Sequence, residues 1–195
     1  KLGLIKVLLD RVNERALEEL KLAAPGVRVF IRSTMDGKDE EAKKAHEDSG
    51  YVPIRFNWRM EIKLNDAPPL PVWPDGIELR PFVREEHSRA VLDAVNEAFR
   101  DHWGSHERTF EDWERSRFNN ADYDPSLWVI AWDGDQIAGF SINRFRMGIG
   151  WVSTLGVRRP WRKKGLGLAL LRHSFGEFYN RGMKTIGLGV DASSP

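Results

Sequence analysis

The sequence contains no cysteine, carries almost no net charge and has no long uninterrupted apolar run. Without cysteine among its 195 residues, the chain has no disulfide, no thiolate nucleophile and no cysteine-ligated zinc site. Lysine and arginine number 30 against 29 aspartates and glutamates, which argues against a nucleic-acid partner, because nucleic-acid binders usually carry a basic excess. No stretch of about 18 apolar residues is present, so we expect no membrane-spanning helix.

The first twenty residues also lack the pattern of a secretion signal. They combine acidic residues with apolar residues at helical spacing, whereas a signal peptide has a basic start followed by a continuous apolar segment. The five histidines show no H-E-x-x-H spacing, so we expect no metal site. These features predict a soluble, cytoplasmic globular protein.

A proline-rich connector at 65–75 divides the predicted elements into two groups. The elements predicted before it are a helix over 4–20, a strand over 27–33, a short helix over 38–47, and one or two strands within 51–64. Those predicted after it are strands over 77–82, 126–134, 136–147, 150–157 and 184–192, with helices over about 85–99, 110–117 and 165–181. This order predicts the α/β class, with a mixed sheet that has helices on both faces.

The segment from 155 to 171 carries the strongest functional signal. An apolar strand ends at Val157, five basic residues lie within 158–164, and a Gly-Leu-Gly sequence at 165–167 begins a helix. A helix N-terminus presents free N–H groups and the positive end of the helix dipole, and glycines let an anion approach the backbone closely. The segment therefore predicts a phosphate or pyrophosphate site.

Two better-known phosphate motifs do not fit this segment. A dinucleotide fingerprint would need a third glycine where Leu170 stands, and the Walker pattern would need a GK[ST] sequence. The remaining alternative is a basic loop before a helix that binds no ligand.

In its setting of strand, basic loop and helix, the segment resembles the phosphate loop of the GCN5-related N-acetyltransferase (GNAT) superfamily. The match to that family's R/Q-x-x-G-x-G/A motif consists of Arg162, Lys163, Lys164, Gly165, Leu166 and Gly167. The resemblance covers residues 76–192 in element order and implies the GNAT acyl-CoA N-acyltransferase fold, a central mixed β-sheet flanked by helices. It also implies acetyl-CoA as acyl-donor co-substrate.

The resemblance further implies which residues bind this co-substrate. The backbone of Leu155, Gly156 and Val157 would pair with the pantetheine arm. The amides of residues from Arg162 through Lys163, Lys164, Gly165, Leu166 and Gly167 to Leu168 would hold the pyrophosphate.

The same family implies direct attack of a primary amine on the thioester, but the proton-transfer groups are harder to assign. The glutamate base of the histone-acetylating branch would fall at Trp151, and the family's tyrosine acid would lie beyond Pro195. His102 is the predicted base, because a histidine accepts a proton near neutral pH. We expect Asp101, Trp103 and Trp151 to contact the acceptor. A solvated His102 and tryptophans packed in the core remain the alternative.

The N-terminal part resembles a second, degenerate copy of the same family. Residues 3–9, GLIKVLL, align with 165–171, GLGLALL, and Ile5 stands where the second glycine should be. This predicts the C-terminal half of a first GNAT domain at 1–64, the linker at 65–75, and a second GNAT domain at 76–195 without its last helix and strands. The arrangement resembles tandem, mycothiol synthase-like proteins truncated at both ends, and it leaves open pairing of half-domains within or between chains.

Three functions remain open from the sequence. The leading one is an N-acetyltransferase that uses acetyl-CoA and a small-molecule primary amine, with no nucleic-acid or membrane partner. The second is a non-catalytic acyl-CoA-binding or scaffold domain. The third is a phosphate-loop protein of another class, such as a nucleotide binder, which competition between acetyl-CoA and ATP would distinguish.

Overall fold

The computed structural model describes residues 2–119 and 121–192, which fall into two compact units. The first unit is Lys1–Phe56 and the second is Asn57–Pro195. The division lies before the proline-rich connector that the sequence suggested, because residues 57–63 pair with a strand of the second unit. Residues predicted to end the first domain therefore belong to the sheet of the second.

The first unit contains two helices, α1 (Leu2–Leu20) and α2 (Glu40–Asp48). Asp39 caps α2 by accepting a hydrogen bond from the backbone N–H of Ala42 at 2.9 Å. Tyr51 donates a hydrogen bond to the side-chain oxygen of Asn13 at 2.8 Å and so ties the segment after α2 to α1.

The strand predicted over 27–33 is wrong. Among the described residues this segment has no strand partner, and Val27, Val29 and Phe30 are exposed. Alternating β-branched residues favour an extended backbone, but a strand forms only where another strand supplies its hydrogen bonds.

The second unit is built on a mixed sheet that has six strands in the described part of the chain, in the order β1-β6-β5-β4-β3-β2. The strands are β1 (Asn57–Lys63), β2 (Ile77–Arg80), β3 (Val129–Asp133), β4 (Gln136–Arg146), β5 (Ile149–Val157) and β6 (Thr185–Asp191). Only β5 and β6 are parallel, and the other neighbouring pairs are antiparallel. The predicted fold class is confirmed.

Helices cover both faces of this sheet because its central strands are apolar on both sides. Helices α3 (Arg84–Phe99) and α4 (Phe110–Phe118) pack on one face against side chains such as Ile130 and Phe140. Helix α5 (Leu166–Asn180) packs on the other face, where Leu166 and Leu170 contact the small residues of β3 and β4. Alternate residues of one strand thus point to different helices.

The two parallel strands separate soon after they meet. Only Gly150, Trp151 and Val152 pair with β6, opposite Ile186, Gly187 and Leu188. Immediately afterwards the register between β4 and β5 shifts, so that Ser153 is an extra residue in β5. The rest of β5 continues alongside β4 and leaves β6, which opens a cleft between the two strands.

The close packing at Gly150 predicts a stability effect. A β-carbon at Gly150 would lie 2.6 Å from the fully buried ring of Phe178, so Gly150→Ala should lower the free energy of unfolding by about 1–3 kcal/mol. Urea unfolding measures this change. Gly189→Ala on β6 is the control, because nothing lies within 4 Å of its β-carbon and its stability should stay within about 0.5 kcal/mol. Equal stability of both variants would contradict the packing argument.

Candidate functional site

The β5–β6 cleft is a cavity of about 590 Å³ in the second unit. Its walls are the diverging ends of β5 and β6, the loop between α3 and α4, and the first turn of α5. After Val152, the β5 edge that faces β6 has no strand partner within the described residues. An extended ligand with amide groups could therefore pair with this edge as an added strand would.

The loop between β5 and α5 forms a cradle of backbone N–H groups. Gly165 adopts a left-handed conformation with φ 85° and caps α5, whose first hydrogen bond runs from Ala169 N–H to the Gly165 carbonyl at 3.1 Å. Within the described part of the chain, the N–H groups of 163–168 have no acceptor. Nothing lies within 4 Å of a β-carbon at Gly165, so the space above these groups is open. Free N–H groups at a helix N-terminus form an anion site.

The arginine side chains of this loop form ion pairs and hydrogen bonds within the protein. Arg158 forms an ion pair with Glu97 at 2.6 Å, and Arg159 pairs with Asp101 at 2.5 Å. Arg162 donates to the carbonyls of Val157 and Ala98, both at 3.0 Å. These contacts attach the loop to α3 and its C-terminal end.

The two lysines of the loop differ from the arginines. Lys163 and Lys164 are exposed, and no contact of their side chains is found in the described residues. The backbone N–H of Arg162 donates to the Arg159 carbonyl at 3.3 Å, so the free amides begin at Lys163. Of the backbone amides predicted to hold the pyrophosphate, 162–168, the one at Arg162 therefore already has an acceptor within the protein.

The predicted strand residues occupy different positions around the cleft. Leu155 lines it, together with Gly167 of the loop. Gly156 is buried, and a β-carbon there would lie 2.5 Å from the Phe140 ring, so the strand must carry glycine at this point. The Val157 carbonyl accepts the hydrogen bond from Arg162.

The acceptor residues predicted from the sequence are only partly brought together. His102 and Trp103 line the cleft, and the His102 ring lies 4.7 Å from the Phe99 ring. Asp101 does not line it, and its pairing with Arg159 lowers the pKa of its carboxyl. Trp151 does not line it either. It is buried in the sheet.

The surroundings of Trp151 explain its position. The guanidinium groups of Arg59 and Arg146 lie 5.4 and 5.0 Å from its ring, and its ring edge closes on Gly187 of β6. Trp151 therefore packs where β5 and β6 are still paired, before the cleft begins.

Arg117 is a site residue that the sequence did not indicate. It lies on α4 and lines the cleft, where its Nη2 atom donates to the hydroxyl of Thr154 at 3.1 Å. Burial lowers the pKa of Arg117 to about 10, and the nearby charges of Arg108 and Arg144 act in the same direction. The sequence signal that could have indicated Arg117 is its spacing of four residues from Trp113, because residues four apart share one helix face and Trp113 is fully buried.

Two further properties concern the whole described region. No helix there is long and apolar enough to span a lipid bilayer. No group of three or more histidine, aspartate or glutamate side chains within residues 2–119 and 121–192 is arranged to hold a metal ion.

Comparison with known proteins finds similar sequences over most of the chain. Mycothiol acetyltransferase of Streptomyces scabiei is 31% identical over 183 residues, which are 92% of this chain and 58% of that protein. Mycothiol acetyltransferase of Kytococcus sedentarius is 28% identical over 92% of this chain and 62% of its own length. The chain thus spans about half to three fifths of the curated relatives that it matches.

A solved structure and a family model agree with these relatives. A GCN5-related N-acetyltransferase from Sphaerobacter thermophilus is 36% identical, with a TM-score of 0.74 over 100% of this chain and 61% of that one. The model of the acetyltransferase (GNAT) family matches residues 89–195, more than half of the chain. These residues contain most of the cleft lining, the free N–H groups and the open strand edge. Because the family model covers more than half of it, the chain belongs to the acetyltransferase (GNAT) family.

Proposed function

We propose that the chain transfers an acetyl group from acetyl-CoA to a primary amine of a small molecule, by direct attack of the amine on the thioester. The observation that carries this proposal is the continuity of the open β5 edge with the N–H cradle of 163–168. One surface thus offers a strand edge for backbone pairing and, directly after it along the chain, a set of N–H groups for binding an anion. Pantetheine has amide groups that suit the first, and the pyrophosphate of CoA is an anion that suits the second.

The residues present fit acetyl-CoA on physical grounds. The free N–H groups of 163–168 border open space at Gly165, and a pyrophosphate needs such donors. The exposed side chains of Lys163 and Lys164 add positive charge beside these groups. Acetyl-CoA supplies the acyl group as an activated thioester. The backbone N–H groups near Leu155 would hydrogen bond to the carbonyl that gains negative charge during transfer.

The acceptor end of the cleft suggests how a proton is removed. An aliphatic amine is mostly protonated at neutral pH, so transfer needs a base or a water chain. We propose His102 for this role, because it lines the cleft on the loop between α3 and α4. Trp103 lines the same region, and we propose that it contacts the acceptor.

The relatives support transfer to a small molecule. Those with similarity over most of the chain are named mycothiol acetyltransferases, a name that contains a small-molecule thiol. We propose a small-molecule amine for this chain on the same basis.

We also propose that residues 1–64 derive from the C-terminal half of a degenerate first domain. The match of residues 3–9 to 165–171 supports this, as does the absence of the second glycine at Ile5. In this proposal β1 is the last strand of the earlier copy, and it pairs with β6 of the second domain.

Gly167→Glu tests the cradle directly. A β-carbon at Gly167 meets only Val157 Cγ2 at 3.6 Å, so a side chain fits without strain while its carboxylate opposes the pyrophosphate. Acetyl-CoA affinity, measured by calorimetric titration, should fall about 10- to 100-fold, since charge-assisted hydrogen bonds contribute about 1.5–3 kcal/mol.

Gly176→Glu is the matched control for this titration. It introduces the same residue into the same helix, and nothing lies within 4 Å of its β-carbon. Its affinity should equal that of the unaltered protein. Equal affinity of both variants would refute the cradle, and acetyl-CoA binding without acetylation of any amine would identify the acyl-CoA-binding alternative. Displacement of the ligand by ATP would instead favour a nucleotide binder.

Arg162 and Lys164 should respond differently to replacement by alanine. Arg162→Ala removes two hydrogen bonds to backbone carbonyls and should lower the free energy of unfolding by about 1–2 kcal/mol. Lys164→Ala should leave the free energy of unfolding within about 0.5 kcal/mol of the unaltered protein. It should weaken acetyl-CoA binding and make the affinity less dependent on salt concentration. Urea unfolding and calorimetry separate the two effects. The reverse pattern would show that Arg162 serves the ligand.

His102→Gln tests the proposed base. The variant should lower kcat by about 100-fold or more, the range of general base catalysis, with acetyl-CoA affinity unchanged. Release of free CoA in the presence of an amine panel measures the rate. His106→Gln, on the same loop and lining the same cleft, is the control and should retain most activity. Loss in both variants, or in neither, would exclude His102 as the base.

A further inference from the structure

One cation in the β5–β6 cleft lacks the partners that a buried charge needs. The Nε atom of Arg117 is buried and has no hydrogen-bond acceptor. No carboxylate in the described part of the chain lies within ion-pairing distance of its guanidinium, whose Nη2 donates to Thr154. Asp191, which also lines the cleft, is engaged by another contact.

Two nearby positive charges make the lack of a counter-ion at Arg117 more unfavourable. Arg108 lines the cleft as well, and Arg144 has a buried Nε atom with no acceptor of its own. Both arginines lower the pKa of Arg117, yet at about 10 it is still charged at neutral pH. Even a partly buried cation loses favourable hydration when it has no counter-ion, and arginine in a protein remains charged rather than losing its proton. An anion bound beside Arg117 would remove that cost.

The second observation is an orphaned hydroxyl on the residue that precedes Thr154. The Oγ atom of Ser153 is buried without a hydrogen-bond partner, and Ser153 is the extra residue where β5 leaves β6. It precedes Thr154, which holds Arg117, and both line the cleft. The cleft thus has the Arg117 guanidinium on α4 in contact with the Thr154 hydroxyl on β5.

These groups are separate from the proposed pyrophosphate site. From Thr154 to Val157, where β5 ends, the strand advances by about 10 Å, and the free N–H groups begin only at Lys163 beyond it. The loop already has its own lysines for the phosphates of CoA. Arg117 instead lies with His102 and Trp103 among the groups that line the cleft toward the α3–α4 loop.

We propose that the acceptor amine carries an oxyanion group, a carboxylate or a phosphate, which binds Arg117 together with the hydroxyl of Thr154. This inference rests on the proposed acetyl transfer, since it names the class of its acceptor. Because Thr154 is next to Leu155, where the thioester would lie, the anion is separated from the reacting amine by only a few bonds.

The test compares amines in matched pairs that differ in one charge. Glycine is paired with glycinamide, β-alanine with β-alaninamide, and phosphoethanolamine with ethanolamine, and acetylation of each is followed as CoA release. The measured quantity is the ratio of kcat/KM for the acidic member to that for its neutral partner. Comparing this ratio between protein variants cancels differences in amine basicity.

Arg117→Gln should lower the ratio about 10- to 100-fold, as expected for loss of a hydrogen bond to a charged group. Arg115→Gln is the control, because it lies on the same helix with an exposed side chain and should leave the ratio unchanged. Thr154→Val keeps the shape of β5 and should reduce the ratio in the same direction, so it replaces Arg117→Gln if that variant does not fold. The pair with the largest effect separates carboxylate from phosphate.

Several outcomes would overturn the inference. They are equal rates for acidic and neutral members in the unaltered protein, and equal losses for both members in Arg117→Gln. If no amine is acetylated although acetyl-CoA binds, the same acids are titrated into the CoA-loaded protein and its Arg117→Gln variant, and binding independent of Arg117 rejects the proposal. Absence of acetyl-CoA binding by calorimetry would instead reject the proposed function itself.

Discussion

The separation of β5 from β6 is the constraint on which the rest of the site depends. The two parallel strands pair only over Gly150–Val152, and the extra residue Ser153 then turns β5 along β4. A strand that remained paired would have used its backbone groups in the sheet, and no open edge would face the cleft. The same divergence brings Ser153 and Thr154 to the lining of the cleft and carries the following residues toward the loop before α5. The cleft, the strand edge and the cradle are therefore consequences of one irregularity.

This irregularity is held in place by buried polar groups rather than by apolar packing alone. Asn143 lies on β4 at the register shift, and its amide donates to the Leu127 carbonyl at 2.9 Å and to the Ser174 hydroxyl at 3.0 Å. Ser141 donates to the side-chain oxygen of Asn143 at 2.9 Å. These groups are fully buried, so each lost partner would leave a desolvated polar atom, and alternative registers of β4 and β5 are disfavoured. The hydrogen bonds thus connect the bulge to α5, the helix whose first turn offers the free N–H groups.

The parts of the molecule that local sequence determines were predictable, and those that depend on distant partners were not. The strand, basic loop and glycine-started helix at 155–171 are consecutive, so their residue types sufficed to predict an anion site there. The strand predicted at 27–33 failed because extended propensity does not supply a partner, whereas 57–63 found one more than a hundred residues away in β6. Arg117 was missed for the same reason. Its distinctive property is a missing counter-ion in the folded chain, and no sequence pattern expresses that absence.

The arginines of the second unit show how one residue type takes different roles according to its surroundings. Arg158 and Arg159 face carboxylates at the end of α3, and their charges are used within the protein to fix the loop. The loop can then offer an anion its backbone donors, which cost no side-chain entropy to position. Arg117 faces only a hydroxyl, so its charge is not used within the fold. In the proposed reaction the cleft would take two anionic groups: the pyrophosphate of acetyl-CoA at the loop before α5, and an oxyanion of the acceptor at Arg117 on α4, whose Nε atom has no acceptor in the described residues.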